Sequence, residues 1–116
     1  MTTTTLVDVA AVCGLAADVI VGNGYCRTFT YDTGQAAAGT APEFCRVDIA
    51  GAINVALHGT PRYVDLAAER TVRTAIEARI NAPSLAAWSS YPGNGKAQAV
   101  RLLRDTAADL RERSRP

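Results

Sequence analysis

Cys13, Cys26, Cys45 and His58 are the residues of this chain best suited to nucleophilic chemistry. A thiol attacks as its thiolate, and a neighbouring imidazole or a helix N-terminus supplies the activation. Cys45 follows Pro42-Glu43, where the spacing predicts the first turn of a helix ending at His58-Gly59. On one helix the two side chains would lie roughly 20 Å apart at about 1.5 Å rise per residue, too far for a dyad. Cys26 stands on a different predicted element, and its pairing with His58 stays open. Otherwise Cys13 and Cys45 read as small core residues.

Other chemistries find less support. A structural zinc site needs three or four convergent ligands, commonly in short pairs, and one His with three scattered Cys does not supply them. Gly22-Asn23-Gly24 follows a helix and lacks the later glycine and lysine of a phosphate loop. Asp48 reads either as an inward-facing acid or as a residue on the helix edge. No metal, cofactor or catalytic residue is expected.

Recognition is the stronger theme. Tyr25, Phe29 and Tyr31 share one face of a predicted strand, and Phe44, Trp88 and Tyr91 could join them in a shallow cleft under Pro92-Gly93. Arg27 and Arg46 lie nearby in sequence, and aromatics with arginine favour protein partners. The same aromatics would also serve as filler in a core built of Ala and Val. The candidate binding residues are Tyr25, Arg27, Tyr31, Arg46, His58, Trp88 and Tyr91.

The elements that must position these residues are mainly helical: four helices, with one short β-hairpin between the first and the second. Leu6, Val9, Cys13, Ala16 and Ile20 recur at helical spacing from Leu6 to Val21, with Thr5 and Asp8 resembling a capping box. Gly22-Asn23-Gly24 supplies the left-handed residue that ends such a helix. Tyr25 to Tyr31 alternates aromatic and β-branched residues and predicts a strand, Asp32-Thr33-Gly34 a turn, and Gln35 to Ala41 a weak return strand or a loop. Pro42 and Glu43 open the second helix, which buries Cys45, Ile49, Ala52, Ile53, Ala56 and Leu57. Gly51 in its middle predicts the close approach of another backbone, most simply the first helix. The third helix spans about Val64 to Ile80, and its Glu69, Arg70, Arg73, Glu77 and Arg79 read as a solvated face. Ser84 caps a short turn ending at Trp88, and the last helix covers Lys96 to Arg111, burying Ala99, Val100, Leu103, Ala107 and Leu110.

With 116 residues, 48% hydrophobic and 20% charged, the chain fits a single globular domain over residues 1–116, frayed at 1–5 and 112–116. No apolar run is long enough to span a bilayer, and Met1 to Thr5 lacks the basic start of a secretory signal. A cytoplasmic location with reduced thiols is therefore expected. Arginine dominates over lysine and alanine is abundant, the bias of a GC-rich coding sequence, which suggests a bacterium or a phage. Up to Phe44 the charges of Arg27, Asp8, Asp18, Asp32 and Glu43 sum to −3, and from Lys96 onward they sum to +3. Such ends favour internal docking or self-association. The interruption of the terminal cations by Asp105, Asp109 and Glu112 argues against nucleic acid as a partner.

Three stretches carry a resemblance: Gly24-Tyr25 after the first helix, Phe44-Cys45 through Gly51-Ala52, and Ser84-Leu85-Ala86-Ala87-Trp88 followed by Pro92-Gly93. In this order they resemble a family of small bacterial and phage domains of unknown function. Tyr25 stands where relatives would carry Trp. The resemblance supports the helix and hairpin order and implies no activity. The leading expectation is a non-enzymatic, regulatory domain that recognises a protein partner or a second copy of itself as a homodimer. The alternative is a small-molecule pocket, catalytic or not, built from Tyr25, Cys26, Arg27, His58 and Trp88.

Overall fold

Helix α1 (Leu6–Asn23) places Val9, Ala10, Cys13, Ala16, Ala17 and Ile20 on one buried stripe, as its periodicity predicts. It ends where Gly24 adopts a φ of 101° and donates its N–H to the Ile20 carbonyl at 2.9 Å. The computed structural model of the chain describes residues 6–27, 30–62 and 66–114. Thr5 of the predicted capping box, Phe29 of the predicted strand and Val64 at the predicted start of the third helix lie outside the described residues.

Five further helices follow among the described residues: α2 (Thr33–Ala37), α3 (Ile49–His58), α4 (Leu66–Glu77), α5 (Leu85–Ser90) and α6 (Lys96–Arg113). The protein is thus mainly helical. The count exceeds the four helices expected, because Thr33–Ala37 and Leu85–Ser90 form short helices of their own; the four longer ones are α1, α3, α4 and α6. α6 and α3 both pack against α1. Ala99, Leu103, Ala107 and Leu110 of α6 meet this core with Ile49, Ala52 and Ile53 of α3, and Val72 and Ile76 of α4. The opposite charges of the two ends do meet, since Arg104 lies 3.6 Å from Asp18. Both side chains are largely solvated, so the pair is worth at most about 1 kcal/mol.

The β-hairpin is absent among the described residues. Asp32 does not open a turn. It caps α2, accepting the Gln35 N–H on Oδ1 at 3.0 Å, and Ala36 and Ala37 then continue a helix that their propensity favours. Tyr25 and Tyr31 instead both pair with Val47. Tyr25 bridges it in parallel and Tyr31 in antiparallel fashion. Four backbone hydrogen bonds make the clasp: Cys26 to Val47, Val47 to Gly24, Asp32 to Arg46 and Asp48 to Thr30.

Residues 46–48 are therefore extended, which overturns the expected helix start at Pro42. Pro42–Phe44 makes a single 3₁₀ turn, and α3 begins only after Asp48. β-Branched Val47 suits the paired segment, and Asp48 is the better N-cap because its Oδ1 accepts the Gly51 N–H at 2.7 Å. Cys45 is buried as expected, but on extended chain. Its thiol donates to the carbonyls of Thr40 and Ala41. Gly51 does meet another backbone, though not α1. A Cβ there would collide with the Thr30 carbonyl oxygen and lie 2.9 Å from its carbon. The N-terminus of α3 is thereby pressed against the clasp.

Candidate functional site

The N-termini of α3 and α5 and one face of α4 enclose a recess of about 190 Å³. Asp48, Ile49 and Ala50 come from the start of α3, Arg73 and Glu77 from α4, Ser84, Leu85, Ala86 and Ser89 from α5, and Arg27 from the clasp. The start of α5 is fixed twice. Ser84 Oγ accepts the Ala87 N–H at 3.1 Å, and Glu77 Oε2 accepts the Leu85 N–H at 2.9 Å. Helix α5 in turn holds the clasp, because the buried Ser89 hydroxyl accepts a hydrogen bond from the Tyr25 hydroxyl at 3.1 Å. Arg27, also part of the lining, donates to the Pro92 carbonyl at 3.3 Å.

Electrostatics set this region apart. Asp48 is held by backbone N–H groups at the start of α3, yet burial outweighs them and pushes its carboxyl up to about 6, with the Glu69 charge adding to the rise. Glu69 is only 4% exposed, and its Oε1 lies 3.7 Å from Arg73 Nε. Burial also raises the Tyr25 hydroxyl, against the hydrogen bond to Ser89. One turn along α3 from Ala50, the Asn54 side chain is buried, and its Oδ1 has no hydrogen-bond partner among the described residues. Polar groups kept out of water in this way cost stability, and they gather at sites that use them. No three His, Cys, Asp or Glu side chains among the described residues converge as metal ligands.

The expected candidates divide. Tyr25 and Arg27 belong to the recess, one through Ser89 and one as its wall. Trp88 is half-buried against the core beside Ser89, and its carbonyl accepts the Asn94 side-chain amide at 2.9 Å. Tyr31 is half-buried on the core side of the clasp. Arg46 pairs with Asp32 at 3.1 Å, and its side chain packs over Gly24. Tyr91 is 44% exposed, and Phe44 is 67% exposed. His58 lies at the other end of α3 from Asp48, roughly 15 Å along the axis at about 1.5 Å per residue. Of the expected candidates, the recess thus brings together Tyr25 and Arg27. With Cys45 off the helix, the dipole no longer activates it. Burial and then the charges of Asp32 and Glu43 raise its thiol above the ordinary value.

The residues that sequence reasoning missed are Glu69, Arg73 and Glu77, read as a solvated face. Glu69 is buried, while Arg73 and Glu77 line the recess. Their spacing of four, with alternating sign, was the available signal. A larger depression of about 610 Å³ lies between α1 and α6, lined by Val21, Lys96, Ala97, Val100, Arg101, Arg104 and Asp105. It is open to solvent, and its charged side chains sit on helix surfaces, with Lys96 donating to the Val21 carbonyl at 3.3 Å. Its charged groups all come from α6, whereas the smaller recess draws on four segments and is the candidate site.

Fold and site together define a small helical domain with a recess of mixed charge at the junction of two helix starts, and among the described residues no helix is long and apolar enough to cross a membrane. The chain belongs to a family of unknown function, DUF6197, whose model matches residues 4–109. No curated protein and no solved structure matches it.

Proposed function

We propose that the domain binds a small polar molecule in the recess between α3, α4 and α5. The observation that carries this reading is the convergence of Arg27, Asp48, Arg73, Glu77 and Ser89, from four separate segments, on one enclosed space. Ligand sites combine a recess with a few converging polar groups and perturbed titration, and this recess has all three. At about 190 Å³ it is smaller than sites for drug-sized ligands, roughly 300 Å³ and upward, so its ligand is small. The test is a nuclear magnetic resonance titration with a library of small charged and neutral fragments, followed through the backbone amides. Shifts should cluster at Ile49, Ala50, Leu85 and Ala86. They should vanish in Ala86→Trp, where the exposed position at the mouth is filled without disturbing the core. Shifts elsewhere, or shifts that survive the substitution, would overturn the reading.

A protein partner or a homodimer is the second reading, supported by the exposed Leu15, Val21, Phe44 and Tyr91. These side chains come from several segments, and single exposed apolar residues are ordinary on a protein surface. Sedimentation of the native protein over a range of concentrations tests the dimer. A constant monomeric mass would remove it.

A further inference from the structure

Building on the recess as a ligand site, we infer that its ligand is a small zwitterion, carrying an ammonium group for Asp48 and Glu77 and a carboxylate for Arg27. Both signs of charge line the recess, but they do not neutralise each other. Among the described residues, no ion pair within 4.0 Å joins Asp48, Glu77 or Arg27 to an opposite charge. Elsewhere opposite charges do find one another, as Arg79 and Arg113 both do with Asp109 at 3.0 and 3.1 Å. Arg73, the other cation of the lining, is turned to Glu69.

Unjoined acid and base around one small space call for a molecule that spans them. A simple anion is disfavoured by Asp48, Glu77 and the nearby Glu69. A simple cation would make no use of Arg27, whose exposed guanidinium donates to the Pro92 carbonyl and meets no acid within 4.0 Å among the described residues. The space corresponds to about six waters at roughly 30 Å³ each, the scale of a small amino acid. The buried Ser89 hydroxyl adds a neutral hydrogen-bonding group to the same wall.

Ammonium binding to Asp48 requires its ionised form. The groups around that carboxylate are Tyr25 and Arg27 on the clasp and Glu69, Arg73 and Glu77 on α4. With the Asp48 carboxyl at about 6, roughly nine-tenths of the free protein holds it protonated at pH 5. Affinity should therefore be about tenfold weaker at pH 5 than at pH 8.

The experiment is calorimetric titration of the whole chain with ω-amino acids of increasing length, from glycine to 5-aminopentanoate. Each is compared with the amine and the carboxylate of the same chain length. At least one zwitterion should bind at least about tenfold tighter than both of its counterparts. Asp48→Asn, which keeps the N-cap acceptor, should abolish that preference and its pH dependence. Arg27→Gln should bring the zwitterion down to the affinity of the plain amine. Equal binding of amine and zwitterion, or of carboxylate and zwitterion, would overturn the inference. So would silence from every zwitterion, and in that case the recess remains a ligand site if other fragments still give shifts that Ala86→Trp removes.

Discussion

In the packed pair α1 and α6, the buried residues include Ala10, Cys13, Ala16, Ala17 and Ile20 of α1 and Ala99, Leu103, Ala107 and Leu110 of α6. The buried polar side chain of α6, Thr106, returns its hydroxyl to the Leu102 carbonyl at 2.7 Å. Around the junction of α3, α4 and α5, by contrast, Asn54, Glu69 and Ser89 are buried and Asp48 is half-buried. Small side chains let the first pair of helices approach closely and fill space without any polar group left to satisfy. The second region holds polar groups that packing alone does not require, and it is less stable for them. Such a contrast within one small core teaches where to look for function: one half supplies the rigid frame, and the other carries groups retained at a cost.

The comparison can be broken most forcefully in the apolar half. Leu103→Ala should cost about 2–5 kcal/mol by leaving a cavity between α6 and α1, measured by denaturant unfolding. A loss below about 1 kcal/mol would mean that this half is loosely packed. At the seam between the halves, Gly51→Ala should cost about 3 kcal/mol, because the added methyl meets the Thr30 backbone rather than a side chain that can move. A variant as stable as the parent would show that the clasp does not rest on α3.

In the polar half the effect is smaller and depends on pH. Asp48 releases its proton near pH 4 when unfolded but near 6 when folded, so folding takes up a proton between those values. Stability should fall as pH rises through that window, by roughly 2–3 kcal/mol if the full shift is expressed. Asp48→Asn should flatten the fall and leave the variant at least as stable above pH 6. A pH profile identical in the two proteins would remove Asp48 as the titrating group. The finest probe concerns the thiols and needs no substitution. Burial raises Cys13 to about 11, with Arg111 opposing, and it raises Cys45 as well. In native protein a thiol reagent should therefore label Cys26 first, and Cys13 and Cys45 only as the chain opens. Three equal rates would show that the frame is not closed over Cys13.

The frame was legible because its apolar residues recur at the helical period, as Val9, Cys13, Ala16 and Ile20 do. Ser84 was likewise read as a cap. Asp32 and Asp48 were not, although each precedes a run able to form a helix. The aromatic alternation of Tyr25–Tyr31 spoke for a strand and, with Asp32-Thr33-Gly34 beyond it, for a local hairpin. Its partner Val47 lies well down the chain, and nothing local in the sequence marks that pairing. Of the site, Tyr25 and Arg27 were singled out by residue type. Glu69, Arg73 and Glu77 show the spacing of a solvated helix face. What makes them a wall is the arrival of α3 and α5 beside them, a tertiary event that periodicity does not encode.

The clasp on Val47 has a consequence for how the molecule breathes. Its four hydrogen bonds all run through residues 46–48, so opening any one of them loosens the others. The amides of Cys26, Asp32, Val47 and Asp48 should then exchange with deuterated solvent at one common rate, faster than those in the middle of α6 and slower than freely exposed ones. Opening this small cooperative unit would carry Tyr25 and Arg27 away from α5 while α1 and α6 stay folded together.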